Sequence, residues 1–157
     1  MEDAWSPVGA MEERRALYRE SSGSPAPVVD PGRFQTIRHV YVGESQARAR
    51  EEVGPELLRA YPRRAVREAF GLPEASSGGR LDEAGGIDDS PESLLDFLFE
   101  NTVVVGDEVY CREKVEALRE RLGVDSLLCW QPWERLGAER RFASQKRWAE
   151  RVVPAFA

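Results

Sequence analysis

The sequence predicts an α/β fold built on a parallel sheet, and three features of its last third support this prediction. Residues 102–105 read Thr-Val-Val-Val, a run typical of a strand buried on both faces. A helical stretch follows up to Leu122, and a second strand is predicted over 124–130. A further helix is predicted over 138–153. This order indicates two consecutive β/α units of a parallel sheet, which has to be covered on both faces.

The first sixty residues predict a helix, a loop, a strand and a longer helix. The first helix lies around residues 11–18, and the Ser-, Gly- and Pro-rich segment 21–33 predicts a loop. β-Branched and aromatic residues over 34–42 predict a strand. Ser45 is a suitable N-cap for the next helix, which we expect Pro55 to kink or restart.

The middle of the chain predicts an insertion followed by helix. Segment 71–93 is long, polar and glycine-rich, which predicts a mobile surface insertion. Pro91 suits the first position of a helix capped by Ser90. Asp107 is a plausible N-cap for a helix whose apolar stripe has the spacing of an amphipathic helix on a sheet. The stripe consists of Cys111, Val115, Leu118 and Leu122. Gly123 predicts that this helix ends there, with the glycine in a left-handed backbone conformation.

Composition narrows the possible classes of protein. The 157 residues fit one domain, and 41% hydrophobic with 32% charged residues is a globular composition. The net charge of −6 comes from 22 basic and 28 acidic residues mixed along the chain, which disfavours nucleic-acid binding. No apolar run approaches the roughly 18 residues that span a membrane, and no signal peptide opens the chain, so we expect a cytoplasmic protein.

The cysteines and the single histidine argue against a metal site. Cys111 and Cys129 form no CxxC motif, and one histidine leaves a zinc site short of ligands. Both cysteines occupy positions where a small buried apolar residue would serve. We therefore expect two free thiols in a reducing compartment.

Four segments, in order, carry a resemblance to a known family. Residues 104–115 (VVGDEVYCREKV) resemble the bacterial-luciferase-like monooxygenases, in which hydrophobic residues precede Gly, then Thr, Ser or Asp, then Pro-Glu. Residues 122–129 are similar to the family's following Gly-Val-Asp strand, and 144–156 to its closing helix. Upstream, 38–49 (RHVYVGESQARA) resembles an earlier strand and helix. Two positions depart from the pattern. Glu108 stands where the family usually has Pro, and Gln145 where it usually has Leu.

The resemblance implies a (β/α)₈ TIM barrel that binds a reduced flavin, either FMN or the deazaflavin F420. Such enzymes oxygenate an organic substrate with O₂ or, in the F420 branch, transfer hydride. A complete barrel needs about 250 residues. Residues 1–157 therefore correspond to a partial barrel, the family's C-terminal strands and helices with the Gly-rich insertion. The early strands that usually carry the chemistry have no counterpart, so no catalytic residue is transferred.

Candidate site residues lie where the predicted strands end. Trp130 and Gln131 follow the last strand on the side where a flavin would bind, and an indole suits a flat isoalloxazine ring. For these residues and the nearby Trp133, packing in the core or an interface remains an equal alternative. His39 invites a catalytic interpretation, but its place inside a strand favours a structural one. At Asp107, helix capping is favoured over anion binding.

Two functions of different classes stay open. The chain is either a truncated or split luciferase-like oxidoreductase, or a non-catalytic half-barrel that serves as an interaction or relic module. Half a barrel has unpaired strand edges. We therefore expect a homo-oligomer, or a complementary chain that carries the missing strands.

Overall fold

The computed structural model describes residues 8–21, 34–62, 64–66 and 90–157. Helices and parallel strands alternate through this part of the chain. Their bounds are α1 (Val8–Ser21), β1 (Phe34–Val42), α2 (Gln46–Ala60), α3 (Pro91–Asn101), β2 (Val104–Gly106), α4 (Glu108–Leu122), β3 (Val124–Trp130) and α5 (Ala138–Arg147). A π-helical turn (Trp148–Val152) and a 3₁₀ turn (Val153–Ala155) continue α5.

Three helices begin at the N-caps that the sequence predicts. In each case the side chain before the helix accepts a hydrogen bond from a backbone N–H of the first turn, which would otherwise lack a partner. The caps are Ser45 on α2, Ser90 on α3 and Asp107 on α4. Gly123 ends α4 with φ at 57°, the left-handed conformation expected of it. Local sequence therefore sets these boundaries.

The structure corrects two of the predicted boundaries and bears out a third. α2 continues as one helix through Pro55, so the expected restart does not occur. Pro55 is exposed, and the carbonyl that loses its partner can bond to water. α3 begins at Pro91, as predicted from its cap Ser90, and residues 71–89 of the predicted insertion lie outside the described residues. Thr102 is the C-cap of α3, so β2 begins at Val104.

The three strands form one parallel sheet in the order β2-β1-β3. Val40 pairs with Val104 at one edge of β1, and His39 pairs with Trp130 at the other. The predicted α/β class with a parallel sheet is confirmed. A barrel places each strand beside the next one in sequence. Here β2 and β3, which follow each other in the chain, lie on opposite sides of β1.

This order explains why helices cover both faces of the sheet. The steps from β1 to β2 and from β2 to β3 run in opposite directions, so right-handed crossovers place their helices on opposite faces. The α2 face packs α2 and α3 against Tyr41, and the α4 face packs α1 and α4 against Val40 and Val42. Each face therefore has its own hydrophobic cluster.

β1 extends beyond β3 at its carboxyl end, and side chains complete its hydrogen bonding there. The indole N–H of Trp133 donates to the Val40 carbonyl at 2.9 Å. The Val42 N–H donates to the Ser144 hydroxyl at 2.8 Å, and the Arg147 guanidinium donates to the Val42 carbonyl at 3.4 Å. The loop after β3 and helix α5 thus take the place of a neighbouring strand.

None of the helices described in the structure is both long enough and apolar enough to cross a bilayer.

Candidate functional site

Trp130 lies at the carboxyl end of β3 with its indole half in solvent. Its side chain is 50% exposed, and its backbone is in register with His39 of the neighbouring strand. The indole meets the imidazole of His39 edge to face, with ring centroids 5.0 Å apart. Trp130 therefore presents a flat apolar surface outward and covers a buried histidine.

His39 is the centre of an aromatic cluster on the α2 face. The side chain is only 2% exposed, and the rings of Tyr61 and Trp133 flank it at 5.3 and 5.8 Å. The Tyr61 hydroxyl lies 2.9 Å from Nδ1. The other ring nitrogen, Nε2, is buried and has no hydrogen-bond partner. Leaving such a group unpartnered costs about 1–3 kcal/mol.

The environment of His39 keeps its imidazole neutral. Burial, together with the smaller effect of the adjacent Arg38 charge, lowers the pKa of His39 to about 4. At pH 7 one ring nitrogen therefore carries a proton and the other a lone pair. The sequence did not indicate the contact with Tyr61, because the two residues are 22 positions apart and meet only when α2 packs on the sheet.

The remaining aromatic and amide candidates differ in environment. Trp133 is 1% exposed and belongs to the hydrophobic cluster of the α2 face, so core packing is its role. Gln131 is half-buried, and its Oε1 is buried without a hydrogen-bond donor. The carboxyl end of β3 therefore combines an exposed indole with two buried polar atoms, His39 Nε2 and Gln131 Oε1, that lack partners.

The turn at Gly106 and Asp107 caps a helix, as the sequence predicted. The Asp107 carboxylate accepts a hydrogen bond from the Tyr110 N–H at 2.9 Å. A Cβ on Gly106 would lie 2.5 Å from the Tyr110 ring, which accounts for the glycine. The carboxylate occupies the position in which an anion would bind.

The two cysteines differ, and one prediction about them was wrong. Both thiols are free. Cys111 is buried, and burial raises the pKa of its thiol to about 12. Cys129 is exposed rather than buried, because it lies on β3, where the sheet is uncovered. Among residues 8–21, 34–62, 64–66 and 90–157, no three His, Cys, Asp or Glu side chains come together as a metal site.

An ionic cluster fixes β1 to the helices around its carboxyl end. The Tyr41 hydroxyl donates to Glu52 at 2.7 Å, and the carboxylate also lies within 4 Å of Arg48 and Arg140. Burial raises the pKa of Tyr41, and the bonded carboxylate raises it further. The phenol therefore stays protonated and positions α2 and α5 instead of exchanging protons.

Comparison with known proteins identifies the fold. The family model of luciferase-like monooxygenases matches residues 3–126. No curated protein sequence matches the chain.

Solved structures are similar over nearly all of the chain. One is the FMN-bound oxygenating constituent of 3,6-diketocamphane monooxygenase from Pseudomonas putida, with a TM-score of 0.64 and 19% identity over 97% of this chain. Another is monooxygenase RslO1 from Streptomyces bottropensis, with a TM-score of 0.60 and 16% identity over 100% of this chain. The chain spans 41% of the length of each. The chain thus has the fold of part of a luciferase-like TIM barrel, as the sequence predicted, although β2 and β3 lie on opposite sides of β1.

Proposed function

Because the chain belongs to the luciferase-like monooxygenase family, we propose that it forms part of a flavin-dependent oxidoreductase. The family match over residues 3–126 carries this proposal. The exposed indole of Trp130 at the carboxyl end of a parallel strand supports it. In α/β folds, ligands bind at this end of the strands. Since the chain spans 41% of its structural neighbours, the proposal concerns the part of the site that these residues supply.

The cofactor proposed for this site is FMN, with F420 as the alternative. One structural neighbour is a complex with FMN. The residues present fit a flavin ring: the half-exposed indole of Trp130 offers a stacking surface, and the buried, unpartnered Gln131 Oε1 would accept from a ring N–H once its side chain turns toward the ring. A reduced flavin supplies the electrons with which O₂ oxygenates a substrate.

The buried residues behind Trp130 would form a water-free floor beneath the flavin site. They are His39, Tyr61 and Trp133. Tyr61 and Trp133 are buried against His39, so water does not reach that side of the indole. Such a floor binds and orients a flat ring and excludes water from the bound face. The residues described around Trp130 would provide orientation and exclusion of water.

The partner proposed for this site is a second protein surface that covers β3. Its Leu128 and Trp130 are 44% and 50% exposed, and one edge of the strand pairs with β1. A second copy of the chain, or a complementary chain with further barrel strands, would cover both side chains. The same exposure favours the alternative function, a non-catalytic module whose β3 serves only for association.

Size-exclusion chromatography with light scattering and flavin absorbance tests the function and the partner together. We expect FMN to co-elute with the protein and the mass to exceed that of one chain. Trp130→Ala should weaken FMN binding about tenfold through loss of stacking. Phe142→Ala is the matched control, because Phe142 is 68% exposed on α5. Association without binding of FMN or F420 would favour the non-catalytic module.

A further inference from the structure

His39 is buried, and one of its two ring nitrogens has no hydrogen-bond partner. Nδ1 lies 2.9 Å from the Tyr61 hydroxyl, whereas Nε2 has no partner although the side chain is 2% exposed. The two nitrogens of an imidazole point in different directions, so Nε2 points away from Tyr61. Buried polar groups in proteins are almost always hydrogen-bonded, and an exception calls for an explanation.

The contact with Tyr61 indicates which nitrogen carries the proton. We assign the Tyr61 O–H as the donor and Nδ1 as the acceptor, because a phenol is a stronger donor than the N–H of a neutral imidazole. The proton of the ring then lies on Nε2. The unsatisfied group is therefore an N–H donor, and it requires an acceptor from outside the described residues.

The rings packed around His39 restrict the kind of acceptor that can reach Nε2. Of the three aromatic rings around His39, Tyr61 and Trp133 are buried, and only Trp130 reaches solvent. Among these three rings, Trp130 is therefore the one along which a ligand would approach His39. A flat heterocycle stacked on that indole would bring an edge carbonyl or ring nitrogen toward the imidazole.

We propose that His39 is a ligand-binding residue whose Nε2–H donates a hydrogen bond to a carbonyl oxygen or ring nitrogen of the planar heterocycle that stacks on Trp130. This inference rests on the proposed flavin site and adds a third residue to it. Nε2 is fully covered in the structure, so binding requires the Trp130 side chain to shift while the heterocycle stays stacked on its indole. Tyr61 is a positioning residue, since its hydroxyl lies 2.9 Å from Nδ1 and orients the imidazole.

The presence of a single histidine makes this inference directly measurable. A long-range ¹H–¹⁵N NMR spectrum of the full ¹⁵N-labelled chain contains the nitrogen pair of one imidazole only. At pH 7 we expect Nε2 to be protonated and Nδ1 to accept. On titration with FMN, the Nε2–H signal should shift and saturate at the same concentration as the quenching of tryptophan fluorescence. Ribose 5-phosphate, which lacks the ring, should leave the signal unchanged.

Variants supply a second measurement. His39→Leu removes the donor and should weaken FMN binding about tenfold, the effect of one lost hydrogen bond. Thr36→Val is the matched control, because Thr36 is buried in the same strand with an unpartnered Oγ1, and the alternation of side chains places it on the opposite face. Tyr61→Phe should leave the Nε2 tautomer only partly populated.

The outcomes separate this inference from the proposed function. If FMN binds but the Nε2–H signal does not move, or Nδ1 carries the proton, the role of His39 is wrong while the flavin site stands. If FMN quenches no tryptophan fluorescence and does not co-elute, the proposed function fails and the role of His39 fails with it. A shift of the signal together with binding supports both.

Discussion

The two outer strands of the sheet have opposite environments although both pair with β1. All three residues of β2 are buried, since α2 and α3 cover one face and α4 covers the other. β3 has seven residues, and five of them are exposed, Leu128 and Trp130 among them. A parallel strand normally needs cover on both faces. β2 therefore belongs to the core of this chain, whereas β3 presents an exposed surface, at which we propose that a ligand or a partner binds.

Matched leucine substitutions test this difference most strongly. Leu98→Ala, on the α2 face beside β2, should lower the free energy of unfolding by about 2–5 kcal/mol, because it leaves a cavity. Leu128→Ala, on β3, should lower it by less than about 1 kcal/mol, because the side chain is half in solvent. Urea denaturation measures both. A large effect at Leu128 that grows with protein concentration would show that a second copy covers β3.

His39, at the boundary between the two regions, should make stability depend on pH. Burial lowers its pKa from 6.5 to about 4, so the unfolded chain takes up the proton first as the pH falls. The free energy of unfolding should fall between pH 6.5 and pH 4 by about 3 kcal/mol, and this contribution is fully present above pH 6.5. Urea denaturation of the wild type and of His39→Gln across this range isolates the imidazole. Parallel curves for the two proteins would contradict the prediction.

Substitutions of Trp130 and Trp133 should give the smallest difference in stability. Trp133→Phe removes the indole N–H that bonds the Val40 carbonyl and should cost about 1–3 kcal/mol. Trp130→Phe removes no hydrogen bond made by the described residues and should change stability by less than about 0.5 kcal/mol. Thermal unfolding followed by circular dichroism compares them. Equal effects would mean that Trp130 is as fully packed as Trp133.

Sequence predicted the elements of this fold better than their arrangement. The N-caps at Ser45, Ser90 and Asp107 and the left-handed stop at Gly123 depend on neighbouring residues, so local patterns were sufficient. The strand order depends on which edge of β1 each crossover returns to, and no local pattern encodes that choice.

The candidate site shows the same limit. The sequence placed Trp130 and Gln131 at the end of a strand, but it could not distinguish an exposed Trp130 from a buried Trp133. Their environments depend on the path of the loop over the α2 face. The contact of His39 with Tyr61 likewise arises from the packing of α2. The lack of a partner for Nε2 therefore could not be predicted from the sequence.

The hydrogen bonds that Trp133, Ser144 and Arg147 make to β1 have a consequence for solubility. They occupy the backbone groups of Val40 and Val42 that a foreign strand would otherwise bind. Open strand edges are the usual starting points of β-aggregation. Helix α5 and the loop before it therefore protect the central strand from pairing with another chain. A variant without them would be prone to form intermolecular β-sheet along β1.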